Sequence, residues 1–153
     1  MRPPPPARPS GGRRRLAEPT SDEGAVLRAA AELVAAFGAH DAAAYFAAFA
    51  PDATFVFHTT PERLPDRGAY ERLWRRWEAE DGFHVHGCES RDAVVQLLGD
   101  AAVFVHDVTT DLELGGVRET VRERETIVLQ RRGSAWLAVH EHLSPRPDEE
   151  EHG

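Results

Sequence analysis

The side chains best suited to proton chemistry fall late in the sequence. Beyond Gly82 the chain carries His84, His86, His106, His140 and His142 among Asp107, Glu123, Glu125 and Glu141. Histidine exchanges protons near neutral pH. A carboxyl group withdrawn from water holds its proton more tightly and can then act as a general acid or base. Glu141, Asp107 and His142 are therefore the expected catalytic groups. His84-x-His86 and His140-x-His142 each put two imidazoles on one strand face, which a metal could use. No third and fourth ligand follows at a diagnostic spacing, and no metal is expected. Gly115-Gly116 sits between strands rather than before a helix, so no phosphate loop is present and no cofactor is expected. The serines lie mainly in tails and turns, and no Ser-His-Asp order emerges.

Strand parity decides which of these groups share a surface. Leu137, Val139, Glu141 and Leu143 alternate on one face, as do Glu123, Glu125, Ile127 and Leu129, and as do Val103, Val105, Asp107 and Thr109. The odd-numbered face, apolar at one end and acidic at the other, is expected to line a cavity. The even-numbered face would then point away from it. His58, Tyr70, Trp74 and Trp77 are expected as further cavity wall, with Val105, Glu125, Ile127, Val139 and Leu143 completing the ligand-binding set. Aromatic walls suit flat organic ligands. Each expectation has a plainer counterpart. Glu125 and Glu141 could pair across strands with Arg122, Arg124 or Arg131, the histidines could be satisfied core or interface groups, and the aromatic stripe could be ordinary core. A one-residue slip in register would exchange the faces.

The elements that must position these residues come in two blocks. Thr20-Ser21-Asp22-Glu23 fits a capping box. Val26, Leu27, Ala30, Leu33, Val34 and Phe37 then recur at helical spacing up to Gly38. Asp41 caps a short second helix bearing Tyr45, Phe46 and Phe49, which Pro51 stops. A short strand from Thr54 to His58 and an irregular loop from Thr59 to Asp66 precede a third helix from Gly68 to Glu80, with Tyr70, Leu73, Trp74 and Trp77 on one face. Four strand-like stretches follow: Phe83 to Leu98, Ala101 to Leu114, Val117 to Arg131 and Ala135 to Ser144. The tight turns between them imply an antiparallel meander. Helices first and a sheet afterwards argue for an α+β fold.

Composition narrows the function classes. Hydrophobic residues make up 41% of the chain, which supports a packed domain. The net charge of −8 disfavours nucleic acid as a partner. The single cysteine, Cys88, excludes a disulfide within the chain and reads as a small buried apolar residue. No apolar run approaches a membrane span and no signal peptide is evident, so a cytoplasmic protein is expected. Residues 1–19, rich in Pro and Arg, and the acidic residues 145–153 are expected to be disordered tails around a domain over residues 20–144.

Two stretches sharpen the fold. Arg124-Glu125-Thr126 leads through a tight turn to Trp136 and the ending His140-Glu141-His142-Leu143-Ser144, and Ala48-Phe49-Ala50-Pro51-Asp52-Ala53-Thr54 joins the second helix to the first strand. Both resemble SnoaL-like members of the nuclear transport factor 2-like superfamily, and also the association domain of calcium/calmodulin-dependent protein kinase type II. The resemblance covers about Asp22 to Ser144. It implies a cone-shaped, curved antiparallel sheet packed against three N-terminal helices, and a homodimer formed through that sheet. It also implies a hydrophobic cavity for a small hydrophobic or aromatic molecule. Alternatives within it are a cofactor-free acid–base enzyme (an isomerase, cyclase or dehydratase, with polyketide-type substrates among those implied) and a structural oligomerisation module. The kinase domain carries arginines deep in its cavity, where this chain has Val108, Ile127 and Leu143, which argues against a small carboxylate ligand.

Overall fold

The computed structural model describes residues 21–147. The expected tail over residues 1–19, Thr20, and residues 148–153 lie outside the described residues.

Local capping sets the helices. The Ser21 hydroxyl accepts from the Gly24 amide and opens α1 (Asp22–Gly38), one of the four otherwise unpaired N–H groups of a helix start. Asp41 caps α2 (Ala42–Ala47) through the Ala44 amide. Asp66 caps α3 (Arg67–Asp81) through the Ala69 amide, and Gly82 closes that helix at φ 60° in the left-handed region that glycine enters without penalty. The buried stripe of α1 is Val26, Ala30 and Leu33, and that of α3 is Tyr70 and Trp74.

The strands are β1 (Phe49–Phe57), β2 (His84–Leu98), β3 (Ala101–Leu114), β4 (Val117–Arg132) and β5 (Ala135–Pro145). β1 starts earlier than the sequence pattern suggests: Pro51 does not stop a helix but stands in an outer strand, where its missing N–H costs no ladder bond. One curved, unclosed sheet forms in the order β1-β5-β4-β3-β2. β2 to β5 make the expected antiparallel meander. β1 adds to β5 in parallel, which a meander alone does not foretell. The three helices cover the concave face. Their aromatic residues Phe37, Tyr45, Phe46, Tyr70 and Trp74 pack against Phe49, Phe55 and Phe83 in a continuous ring-to-ring cluster.

Register places the side chains. Leu114 faces Val117 across the two-residue turn Gly115-Gly116, so even residues of β3 pair with odd residues of β4: Phe104 with Ile127, His106 with Glu125, Val108 with Glu123. On β5 a bulge changes the parity. Ala138 pairs with Leu129 and His140 with Val128, leaving Val139 as the extra residue. Trp136 and Ala138 are buried before the bulge and Glu141 after it.

Candidate functional site

A cavity of about 40 Å³ lies between the helices and the concave face of the sheet. Leu33, Val34 and Phe37 come to it from α1, Tyr45 from α2, Tyr70 from α3, Cys88 from β2, Val108 and Thr110 from β3, Glu123 and Glu125 from β4, and Glu141 and Leu143 from β5. None of these is basic, and three are carboxylic acids. Such a space accommodates a few waters or one small functional group. The rest of the cone is filled by the aromatic cluster.

The polar groups at the floor form one continuous hydrogen-bonded chain. Ser90 Oγ lies 2.6 Å from His106 Nδ1, and His106 Nε2 lies 2.6 Å from Glu125 Oε1. Glu125 and Glu141 hydrogen-bond to each other. The Tyr45 hydroxyl donates to Glu141 Oε1 at 3.2 Å and sits 3.0 Å from the Tyr70 hydroxyl. Since the Tyr45 proton goes to Glu141, Tyr70 must donate to Tyr45. Burial pushes the Glu141 carboxyl well above its ordinary value, and the neighbouring Glu125 charge adds to this. Burial also raises Glu125, while the hydrogen bond from Glu141 works the other way. Two carboxyls so close cannot both ionise readily, so Glu141 keeps the proton and donates it to Glu125. Burial holds His106 down to about 4, and it is a neutral imidazole at neutral pH. With Glu125 as acceptor its proton belongs on Nε2, and Nδ1 accepts from Ser90. Burial raises Tyr45 and Tyr70 well above the ordinary phenol value, so both remain donors. Cys88, half-buried, is pushed up to about 12 and is a thiol rather than a nucleophile. At the rim, His58 Nε2 lies 2.7 Å from Glu123 Oε2.

Of the residues expected from sequence, Tyr70, Glu125, Glu141 and Leu143 come together in the cavity, with His58 at its edge. Trp74, Trp77 and Ile127 do not line it: Trp74 and Ile127 are fully buried in the core behind it, and Trp77 packs on that core. Val105 and Asp107 belong to the opposite face of the sheet, where Arg124 Nε donates to Asp107 Oδ1 at 3.2 Å. The assumption that odd residues of adjacent strands share a face fails there because the two-residue turn pairs odd with even. His142 is exposed and pairs with Thr126 on that same outer face, and Val139 is consumed by the bulge. Parity reasoning overlooked His106, Val108 and Thr110 for the same reason. Tyr45 and Phe37 were legible as helix face residues but not as cavity wall. Among the described residues no group of three or more His, Cys, Asp or Glu side chains is placed to hold a metal, and no helix is long and apolar enough to cross a membrane.

The SnoaL-like domain family matches residues 26–148. The chain is a member of that family. No functionally curated protein matches the sequence. Solved structures with the same fold include a nuclear transport factor 2-like protein of unknown function in nutrient uptake from Rhodospirillum rubrum, at 25% identity and TM-score 0.68 over 80% of this chain and 98% of that one. A ketosteroid isomerase-like protein from Erwinia carotovora atroseptica is 17% identical, at TM-score 0.70 over 84% and 99% of the two chains. The hub homology domain of a Chlamydomonas reinhardtii calcium/calmodulin-dependent kinase II is 20% identical, at TM-score 0.65 over 84% and 100%. At these last two identities the likeness speaks to fold alone.

Proposed function

We propose that this SnoaL-like chain is a cytoplasmic pocket protein that binds a small organic molecule, polar end inward, on the hydrogen-bonding floor formed by Glu141, Glu125, Tyr45 and Tyr70. The observation that carries this reading is a cavity with aromatic and aliphatic walls whose buried end holds the Glu125–Glu141 carboxyl pair. A neutral carbonyl, a phenol or an amine finds a donor or an acceptor there. A carboxylate ligand would meet three acids and no balancing cation, a mismatch that disfavours binding. Leu33, Val34, Phe37 and Leu143 supply apolar contact for the remainder of the ligand.

A thermal-shift panel of small ketones, phenols and amines with their carboxylate counterparts tests this. Neutral and cationic members should raise the melting temperature, as any ligand selective for the folded state does, and carboxylates should not. Glu141→Gln should weaken the best binder tenfold or more, and His142→Ala, on the outer face, should leave it unchanged. Carboxylates binding best, or a cavity-blocking Leu143→Trp binding as tightly as the wild type, would sink the proposal.

The shared proton favours a second reading, a cofactor-free acid–base enzyme of the isomerase, cyclase or dehydratase type. Glu125 is the base in that reading, and protonated Glu141 with the two tyrosines polarises a substrate oxygen. The likeness to a ketosteroid isomerase-like protein supports it. Turnover of an enolisable ketone that Glu125→Gln abolishes would select it over simple binding.

The outer face of the sheet suggests a homodimer. Val94 is 64% exposed, and the half-buried Val103, Val105 and Val128 surround it on neighbouring strands. The likeness to a kinase hub domain supports a second copy as the occupant. Sedimentation should show a dimer at micromolar concentration that Val105→Arg dissociates. A wild-type monomer there would remove this part of the proposal.

A further inference from the structure

Ser90 and His106 belong to no part of the cavity wall, yet they contact its proton-bearing floor. His106 is fully buried, with side-chain exposure of 0%. Both ring nitrogens are engaged at 2.6 Å, one toward the floor and one toward Ser90. Ser90 is exposed, just before the irregularity in β2 between Arg91 and Val94 where Asp92 adopts φ 56°. β2 is the edge strand of the sheet, and Ser90 is open to water there. A buried histidine needs partners for its two nitrogens, but a backbone N–H would satisfy that need at Nδ1. Here the second partner is instead a surface hydroxyl, which both donates and accepts.

We propose that Ser90 and His106 form a proton inlet along the concave face of the sheet from its β2 edge, connecting bulk water to the Glu125–Glu141 pair by a route separate from the cavity mouth. The step is balanced. The Ser90 O–H bond breaks as its proton passes to His106 Nδ1, the His106 Nε2–H bond breaks as that proton passes to Glu125 Oε1, and Ser90 regains a proton from solvent. Imidazole exchanges one tautomer for the other and no net charge accumulates on the ring. The reverse sequence returns the proton. Such a route matters because a ligand seated on the floor closes the mouth, and the carboxyl pair would otherwise be cut off from water. The inlet rests on the shared carboxyl proton invoked above, but not on any particular ligand.

Rapid-mixing infrared spectroscopy of the full chain in D₂O tests it without a ligand. The readout is the rate at which the protonated carboxyl stretch shifts to its deuterated position. Ser90→Val removes the hydroxyl and keeps a strand-compatible side chain. Ser90→Thr restores the hydroxyl. The Val variant should exchange at least tenfold more slowly than wild type at unchanged melting temperature, and the Thr variant should recover most of the rate. A structural role for Ser90 would move the melting temperature and not the rate. Equal rates in wild type and the Val variant would overturn the inlet while leaving the cavity reading intact. Absence of any protonated carboxyl band at neutral pH would overturn both.

Discussion

Trp74→Ala should be the most damaging single truncation in the domain, with a loss of about 3–5 kcal/mol, the usual cost of deleting a large buried aromatic. Trp74 is 1% exposed and meets the rings of Phe83, His40, Tyr45 and Phe46 at centroid distances of 5.0, 5.1, 5.4 and 5.5 Å. Its indole N–H donates to Glu78 Oε2 at 3.0 Å, so the truncation also removes a partly buried polar contact. The cluster comes from all three helices, which limits how far it can collapse into the hole. Calorimetry should record a fall in melting temperature on the order of 10 °C. The variant also separates packing from ligand contact. Tyr45, which carries a hydrogen bond to Glu141, leans on Trp74, so ligand affinity should weaken through displacement of Tyr45. A destabilisation below about 1 kcal/mol with complete loss of binding would instead mark Trp74 as a direct ligand contact, as the aromatic stripe in the sequence first suggests.

Local chemistry made most of the elements legible in the sequence. Asp41 and Asp66 are N-caps, Gly82 ends a helix, and Gly99-Asp100, Gly115-Gly116 and Gly133-Ser134 separate the strands. Each of those signals acts over four residues or fewer. The parallel pairing of β1 with β5 depends instead on residues more than eighty positions apart, such as Phe55 and Glu141, and no local pattern encodes it. Its one local cost is Pro51, which reads as a helix stop and serves equally well in an edge strand.

The site was legible only as far as parity could be carried. The two-residue turn between Leu114 and Val117 already implies that even residues of β3 join odd residues of β4. That inference brings His106 beside Glu125 and takes Asp107 and Val105 to the other face. The bulge at Val139 has no comparable signature, since no glycine marks it. Without the bulge, Trp136 and Ala138 would be followed inward by His140 and His142 rather than by Glu141 and Leu143. The carboxyl pair at the cavity floor therefore depends on one extra residue in β5. Tyr45 and Tyr70 meet there because α2 and α3 approach from the same side, a tertiary fact that helical spacing alone does not contain.

The stability of the chain should fall as pH rises above about 6.5, and Glu141→Gln should abolish that fall. The sign follows from the direction of each shift. Glu141 has a folded value raised well above its ordinary 4.5. Between those two values the folded chain holds a proton that the unfolded chain has released, so stability decreases with pH by about 1.4 kcal/mol per unit. His106 acts oppositely. Its folded value of about 4 lies below the ordinary 6.5, so between those values the unfolded chain holds the extra proton and stability increases with pH. Burial lowers His140 as well, adding a contribution of the same sign. From about pH 4.5 to 6.5 the histidine slopes oppose that of Glu141 and hold stability near level. Above 6.5 the histidine contribution is exhausted and the carboxyl term alone remains. Glutamine reproduces the shape and donor capacity of the protonated acid without its proton equilibrium. Denaturant unfolding of the Glu141→Gln variant should therefore match wild type near pH 6, exceed it by up to about 3 kcal/mol near pH 8 at that slope, and rise rather than stay level between pH 4.5 and 6.5. Parallel curves for the two proteins across the whole range would mean that Glu141 is ionised in the folded state, and the hydrogen-bond assignment at the cavity floor would have to be reversed.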